Sequence, residues 1–245
     1  MTQESEQTVI RRIITLDQLT NLSSDIEGAL VLPSTNNTDG IIGKTFEEFI
    51  KELSIHSSLQ LKVSLQNVQI LDLYKLMFVG LSCSKAERLS LNDVKVGTNL
   101  YLEEVKELEA LQVCVDKVNI SESKSIRFTE SKISYFTALS TFEMDRLNLY
   151  SSHIQEVNLN NIKAKRINLS YTYAKLVYLI NSQTNYLDLH DFTADSLYLG
   201  DASGEVIDLV DANIDSNKVY ISSETGFDRY SGPATLRYAL EKRRN

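Results

Sequence analysis

Leu147-Asn148-Leu149, Val157-Asn158-Leu159, Ile167-Asn168-Leu169, Val177-Tyr178-Leu179, Leu187-Asp188-Leu189, Leu197-Tyr198-Leu199 and Ile207-Asp208-Leu209 follow one another at a constant step of ten residues. Val219 and Ile221 come after a slip of two. Midway between these large pairs sit smaller ones: Ile162/Ala164, Thr172/Ala174, Ser182/Thr184, Phe192/Ala194, Ala202/Gly204 and Ala212/Ile214. The apolar pattern thus repeats every five residues, large and small pairs alternating. The residue inside each pair points to solvent, because alternate side chains of an extended segment face opposite ways. A helix is excluded here, since a five-residue period does not fit a 3.6-residue turn.

An extended side of five residues cannot fold alone, because its apolar face needs cover. Four such sides make a coil of roughly 20 residues that encloses its own core and stacks on the next at ~4.8 Å. A leucine-rich repeat has a longer unit, roughly 20–29 residues, and an Asn or Cys at a fixed inward position, so the step of ten speaks against it. Upstream, Val63/Leu65, Val68/Ile70, Leu89/Leu91, Leu100/Leu102, Leu111/Val113 and Ile126/Phe128 keep the pair with varying steps. The expected fold is an all-β solenoid, a parallel β-helix, over residues 57–222. Residues 1–56 form an N-terminal segment with a capping helix, and residues 223–245 form a C-terminal capping helix and basic tail.

On these residues the chain resembles the pentapeptide-repeat family, whose motif is a small residue, then Asp or Asn, then Leu. Asn148, Asn158, Asn168, Asp188 and Asp208 match the middle position before a Leu. Ile, Val or Leu stands where the family has its small residue, and Tyr178 and Tyr198 interrupt the middle position, so the resemblance is to a divergent member. It implies a right-handed, four-sided coil. Some members imitate the shape and charge of DNA and occupy the DNA-binding saddle of a type II topoisomerase. By that likeness Asp188, Asp191, Asp195, Asp201, Asp208, Asp211 and Asp215 would stand in for phosphates against a basic, nucleic-acid-handling protein. Members also often dimerise through their C-terminal segment.

The charge fits that direction. The 245 residues hold 25 Lys+Arg and 33 Asp+Glu, a net charge of −8, opposite to a general nucleic-acid binder. Between Asn181 and Glu224 there are nine acidic residues and one basic one, Lys218. Such a concentration makes a strong local negative field. It serves to meet a basic protein surface, to hold a hard cation such as calcium, or simply to keep the rod soluble. At a stacking period of 20, Asp191 lies over Asp211 and Asp195 over Asp215. Asn148, Asn168, Asp188 and Asp208 form one row, Tyr178, Tyr198 and Tyr220 a second, and Arg146, Arg166 and Tyr186 a third. Asn and aromatic rows hold stacked strands in register.

Both ends carry cap signals, which a solenoid needs to avoid polymerising. Thr45 and Glu48 fit a capping box ahead of Phe46, Phe49, Ile50 and Leu53 on one helical face. Ser231-Gly232-Pro233 starts a helix over 234–244, in which Leu236 and Leu240 share a face that caps the last coil or contacts a second copy. Ala29 to Leu32 reads as a short strand.

No catalytic constellation emerges, and the chain reads as a non-enzymatic interaction module. A structural or assembly component is the second reading, and a calcium-binding or carbohydrate-acting β-helix the third. His56, His153 and His190 lack a second His or Cys at ligand spacing, so neither a metal nor a cofactor is expected. His190 sits beside Asp191 with no nucleophile placed by the pattern. The acidic N-terminus shows no signal peptide, no apolar run is long enough to span a bilayer, and Cys83 and Cys114 read as reduced thiols, so a cytoplasmic location is expected.

Overall fold

The computed structural model describes residues 29–32, 62–66, 70–74, 77–78 and 80–235. Within them the chain winds as a parallel β-solenoid of about eight coils. Each coil gives one rung to each of two sheets, one of 12 strands and one of nine. Every strand pairing is parallel. The 12-stranded sheet includes Lys132–Leu139, His153–Asn158, Tyr173–Tyr178 and Thr193–Tyr198. The nine-stranded sheet includes Met144–Asn148, Lys163–Asn168, Gln183–Asp188 and Ser203–Asp208. Stacked partners lie 20 residues apart, as in Val157↔Val177↔Leu197 and Leu147↔Ile167↔Leu187↔Ile207.

The core runs down the axis. Leu147, Leu149, Ile154, Val157, Leu159, Ile162, Ile167 and Leu169 are all fully buried, so the large and small inward pairs stand where their spacing puts them. The small positions are fitted individually. Thr184, Gly204 and Phe227 stack on successive coils. A methyl on Gly204 would collide with the Thr184 carbonyl oxygen and also crowd the Phe227 ring at 3.2 Å, so the backbone of the neighbouring rung requires glycine here.

The varying steps of the first half have a structural cause. Leu81, Leu100 and Val118 stack at intervals of 19 and 18, and Leu89, Leu108 and Ile126 do the same. In these coils one small inward pair shrinks to a single buried residue: Ala86, Val105 or Ser123. Strands of the nine-stranded sheet are correspondingly short there, as in Arg88–Asn92 and Glu107–Leu111. One 21-residue coil, between Phe136 and Val157, joins the two regimes. A uniform 20-residue coil therefore describes the second half only.

Corners set the path. In the second half, a Leu carbonyl accepts the N–H three residues on: Ile162 to Leu159, Thr172 to Leu169, Ser182 to Leu179 and Ala202 to Leu199. The third residue of each turn has a positive φ, the pattern of a type II turn. Inward hydroxyls bond further carbonyls at the corners: Thr172 Oγ1 donates to Leu149 O at 2.6 Å, and Thr225 Oγ1 to Leu199 O at 2.7 Å. The slip before Val219 is a 3-10 turn, Ser216–Lys218, inserted between Asn213–Ile214 and Val219–Tyr220, two segments that both pair with Thr193–Tyr198.

The solenoid extends past the expected end at 222, because Gly226–Ser231 pairs with Ser203–Asp208 as a further rung. At the other end Ala29–Leu32 pairs with Lys62–Gln66, so a strand from the expected N-terminal segment joins the sheet. The expected capping helix from Thr45 lies outside the described residues. So do Leu236 and Leu240, and of the helix expected over 234–244 only residues 234 and 235 are described. Among the described residues no helix is long and apolar enough to cross a membrane.

Candidate functional site

The two corner edges carry the most distinctive chemistry. Among the described residues, 13 non-glycine positions have positive φ, and they fall into two rows along the solenoid. One row is Asp93, Gln112, Glu130, Ser151, Tyr171, Asp191 and Asp211. Each of its first six N–H groups donates to the next coil, as Asp93 to Leu111 O, Glu130 to Tyr150 O and Asp191 to Val210 O. The other row is Lys85, Glu104, Glu122, Asn161, Asn181 and Asp201. Asn and Asp tolerate the left-handed region because their short side chains bond locally, whereas Glu has no such advantage. Glu104, Glu122 and Glu130 are therefore not explained by backbone preference. Seven of the 13 positions are acidic. Acid thus lies along both edges and not only in the Asn181–Glu224 segment.

The flat face of the nine-stranded sheet is different. There the charges pair across coils: Lys106 with Glu87 at 2.6 Å, Arg88 with Glu109 at 3.2 Å, Lys165 with Asp145 at 2.6 Å and Arg166 with Asp188 at 3.1 Å. The Lys165 hydrogen bond holds the Asp145 carboxyl below its ordinary range. Among the described residues no Lys or Arg ion pair reaches the acidic corner positions of the two edges.

The seven Asp residues singled out from the sequence occupy four settings. Asp188 and Asp208 stack in one row with Asn148 and Asn168, as their spacing predicts, but their side chains do not bond one another. Each of the four instead accepts the N–H two residues on, at 2.8 Å for Tyr150 and Ser170, 3.3 Å for His190 and 3.1 Å for Val210. This is the Asx turn, a local corner device. Asp188 is only 9 % exposed and is bonded by Arg166. Asp208 accepts from Ser231 Oγ at 2.8 Å and Tyr186 OH at 3.2 Å. Burial alone would raise its carboxyl, but the Ser231, Val210 and Tyr186 donors with the His190 charge hold it low. Asp215 caps the 3-10 turn through Asn217 N at 2.9 Å. Asp201 accepts the Ser222 hydroxyl and ties down the last coil. Asp195 and Asp211 are exposed, and Asp191 is partly buried beside His190.

The tyrosine row forms as spaced. Tyr178 and Tyr198 stack at 4.7 Å and 18°, and Tyr198 and Tyr220 at 4.4 Å and 9°. Arg166 lies 5.0 Å from the Tyr186 ring centre. A further cluster gathers at one edge. His190 Nε2 is 3.1 Å from Asp191 Oδ2, and Asp211 of the next coil brings a carboxylate to the same place. The Tyr171 ring meets His190 edge-on at 5.6 Å, and the neighbouring Asp191 carboxylate raises its phenol. Sequence spacing stacked Asp191 over Asp211 but read His190 only beside Asp191 along the chain, so the imidazole was not joined to the two carboxylates. Reading ligands at the coil period would have joined them.

On the 12-stranded sheet a groove of about 420 Å³ is lined by Phe78, Lys95, Cys114, Lys132, His153 and Gln155, among others. Cys114 is exposed there between Lys95 and Lys132 on adjacent strands. Cys83 is buried, and burial pushes its thiol up to about 12. No family model matches the chain, and no curated protein or solved structure matches it.

Proposed function

We propose that this solenoid is a non-enzymatic interaction module whose two acidic edges engage a basic protein surface. The observation that carries the reading is the placement of carboxylates at left-handed corners along the rod, including Glu residues that the backbone does not favour. Stacked coils set the carboxylates of one edge at multiples of ~4.8 Å. Duplex DNA presents a phosphate every ~3.4 Å of axis on each strand. The two repeats do not match, so a DNA-mimic reading rests on the sign and linear arrangement of the charge, which a basic surface meets without exact register. The likeness to pentapeptide-repeat proteins, with their right-handed coil, points the same way. The partner in that reading is a nucleic-acid-handling protein, with no direct nucleic acid contact by this chain.

The test is capture from native lysate at low and moderate salt, comparing wild type with a variant carrying Asp93, Asp191, Asp201 and Asp211 as Asn. Asn keeps the left-handed corners, so the fold is retained while four charges go. A basic partner lost in the variant, at moderate salt and with excess duplex DNA is the expected result. A partner that ignores the charge change, the salt and the DNA overturns the reading.

A further inference from the structure

We propose that His190, Asp191 and Asp211 form a binding site for a divalent transition ion of the zinc class. Each residue offers one donor atom, and all three donors lie within 4.8 Å of one another. His190 Nε2 and Asp191 Oδ2 are already 3.1 Å apart. Donors bound ~2.0–2.2 Å from one ion in a tetrahedral site stand a little over 3 Å from each other. That pair is thus at ligand spacing, and rotation of the Asp211 side chain closes the third edge. The backbone beneath is rigid. Asp191 donates its N–H to Val210 O at 3.0 Å, and His190 donates its own to Asp188 Oδ1 at 3.3 Å. Consecutive coils therefore hold the two carboxylates one rung apart.

The surroundings suit a cation. Two carboxylates on neighbouring rungs repel each other, and neither has a Lys or Arg ion pair among the described residues. A dication replaces that repulsion by two attractions. The Tyr171 ring packs edge-on against the imidazole at 5.6 Å, the kind of outer contact that orients metal ligands. The imidazole selects the ion. Calcium takes six to eight oxygens, whereas an imidazole with carboxylates suits zinc and its neighbours in the first transition row. The exposed side of the cluster leaves water to complete the coordination. The inference is independent of the partner reading, since an ion bound here needs no second protein.

The test is calorimetric titration of the untagged, EDTA-treated full chain with zinc chloride, with calcium chloride as a parallel probe. One zinc per chain is expected. His190→Ala and Asp211→Asn are each expected to weaken it ~10-fold or more, the scale on which even outer-shell changes act. Asp195→Asn, outside the cluster, is expected to leave it unchanged. Circular dichroism matching wild type shows that a variant is folded, and Asp211→Asn retains a residue suited to the left-handed corner if His190→Ala does not fold. Absence of saturable zinc binding overturns the proposal. So does zinc affinity indifferent to both substitutions, or calcium binding of equal strength that survives His190→Ala.

Discussion

The two cysteines show how strongly position within a coil decides chemistry. Cys83 faces the axis and Cys114 faces solvent. A thiol reagent is expected to titrate one cysteine in the native protein and two in denaturant. Two reacting at native speed would contradict the burial of Cys83. The raised Cys83 thiol also has a pH consequence. Its folded value, about 12, stands above the ordinary value near 9.0. The stabilisation it lends is therefore complete below pH ~8.5–9 and is lost as pH rises toward the folded value. The urea midpoint of wild type is expected to fall more steeply between pH 9 and 11 than that of Cys83→Ala. Parallel slopes would contradict this. Gly204 makes a second case at this scale. Its replacement by Ala drives a methyl into the Thr184 carbonyl, and a loss of at least ~2 kcal/mol is expected in denaturant unfolding. A shift below half that would show the rung moving aside.

The corner is the element that distinguishes this solenoid, and it was only partly legible. The Leu-x-Leu spacing announced the inward pairs directly, because burial follows alternation in an extended chain. The turn chemistry was equally present, with Asn181, Asp191, Asp201 and Asp211 at a step of ten, yet the three Asp residues read first as charge. The row of Asn148, Asn168, Asp188 and Asp208 stacks as its spacing predicts, but its side chains bond their own corners rather than one another. A ladder and an Asx turn have the same period, so spacing alone does not separate them. Asn168 is the clearest test, since it accepts from both Ser170 N at 2.8 Å and Ser170 Oγ at 2.6 Å. Asn168→Ala is expected to cost ~1 kcal/mol, read from the urea midpoint. An unchanged midpoint would mean that stacking alone sets the corner. In the first half the coil loses inward residues at Ala86, Val105 and Ser123, which removes the constant step on which recognition depended.

At the scale of the molecule, each coil contacts chiefly its two neighbours, so coils behave as approximately additive units. Deleting residues 151–170 removes one full coil and sets Tyr171 on Tyr150 with both sheets in phase. The shortened chain is expected to fold with the same β-type circular dichroism and a modestly lower melting temperature. Collapse of the signal would show that register depends on something beyond neighbouring coils. The same additivity explains why charge reads differently at this scale. The sequence concentrates acid between Asn181 and Glu224, but winding brings Asp93, Glu104, Glu122 and Glu130 onto the same two edges as Asp191, Asp201 and Asp211. That alignment depends on coil lengths of 18, 19 and 21 residues, which no fixed period reveals.

Parallel winding also has a mechanical meaning. Tension applied to the two ends of the rod pulls along the stacking axis, so the hydrogen bonds between rungs are loaded one rung at a time and open like a zip. Each coil of 20 residues that peels away releases a thread of roughly 65 Å, against the ~4.8 Å it occupied in the stack. Under a single-molecule tether the protein would lengthen as a staircase. The treads would shorten slightly on passing from the wide coils of the second half to the narrower ones of the first.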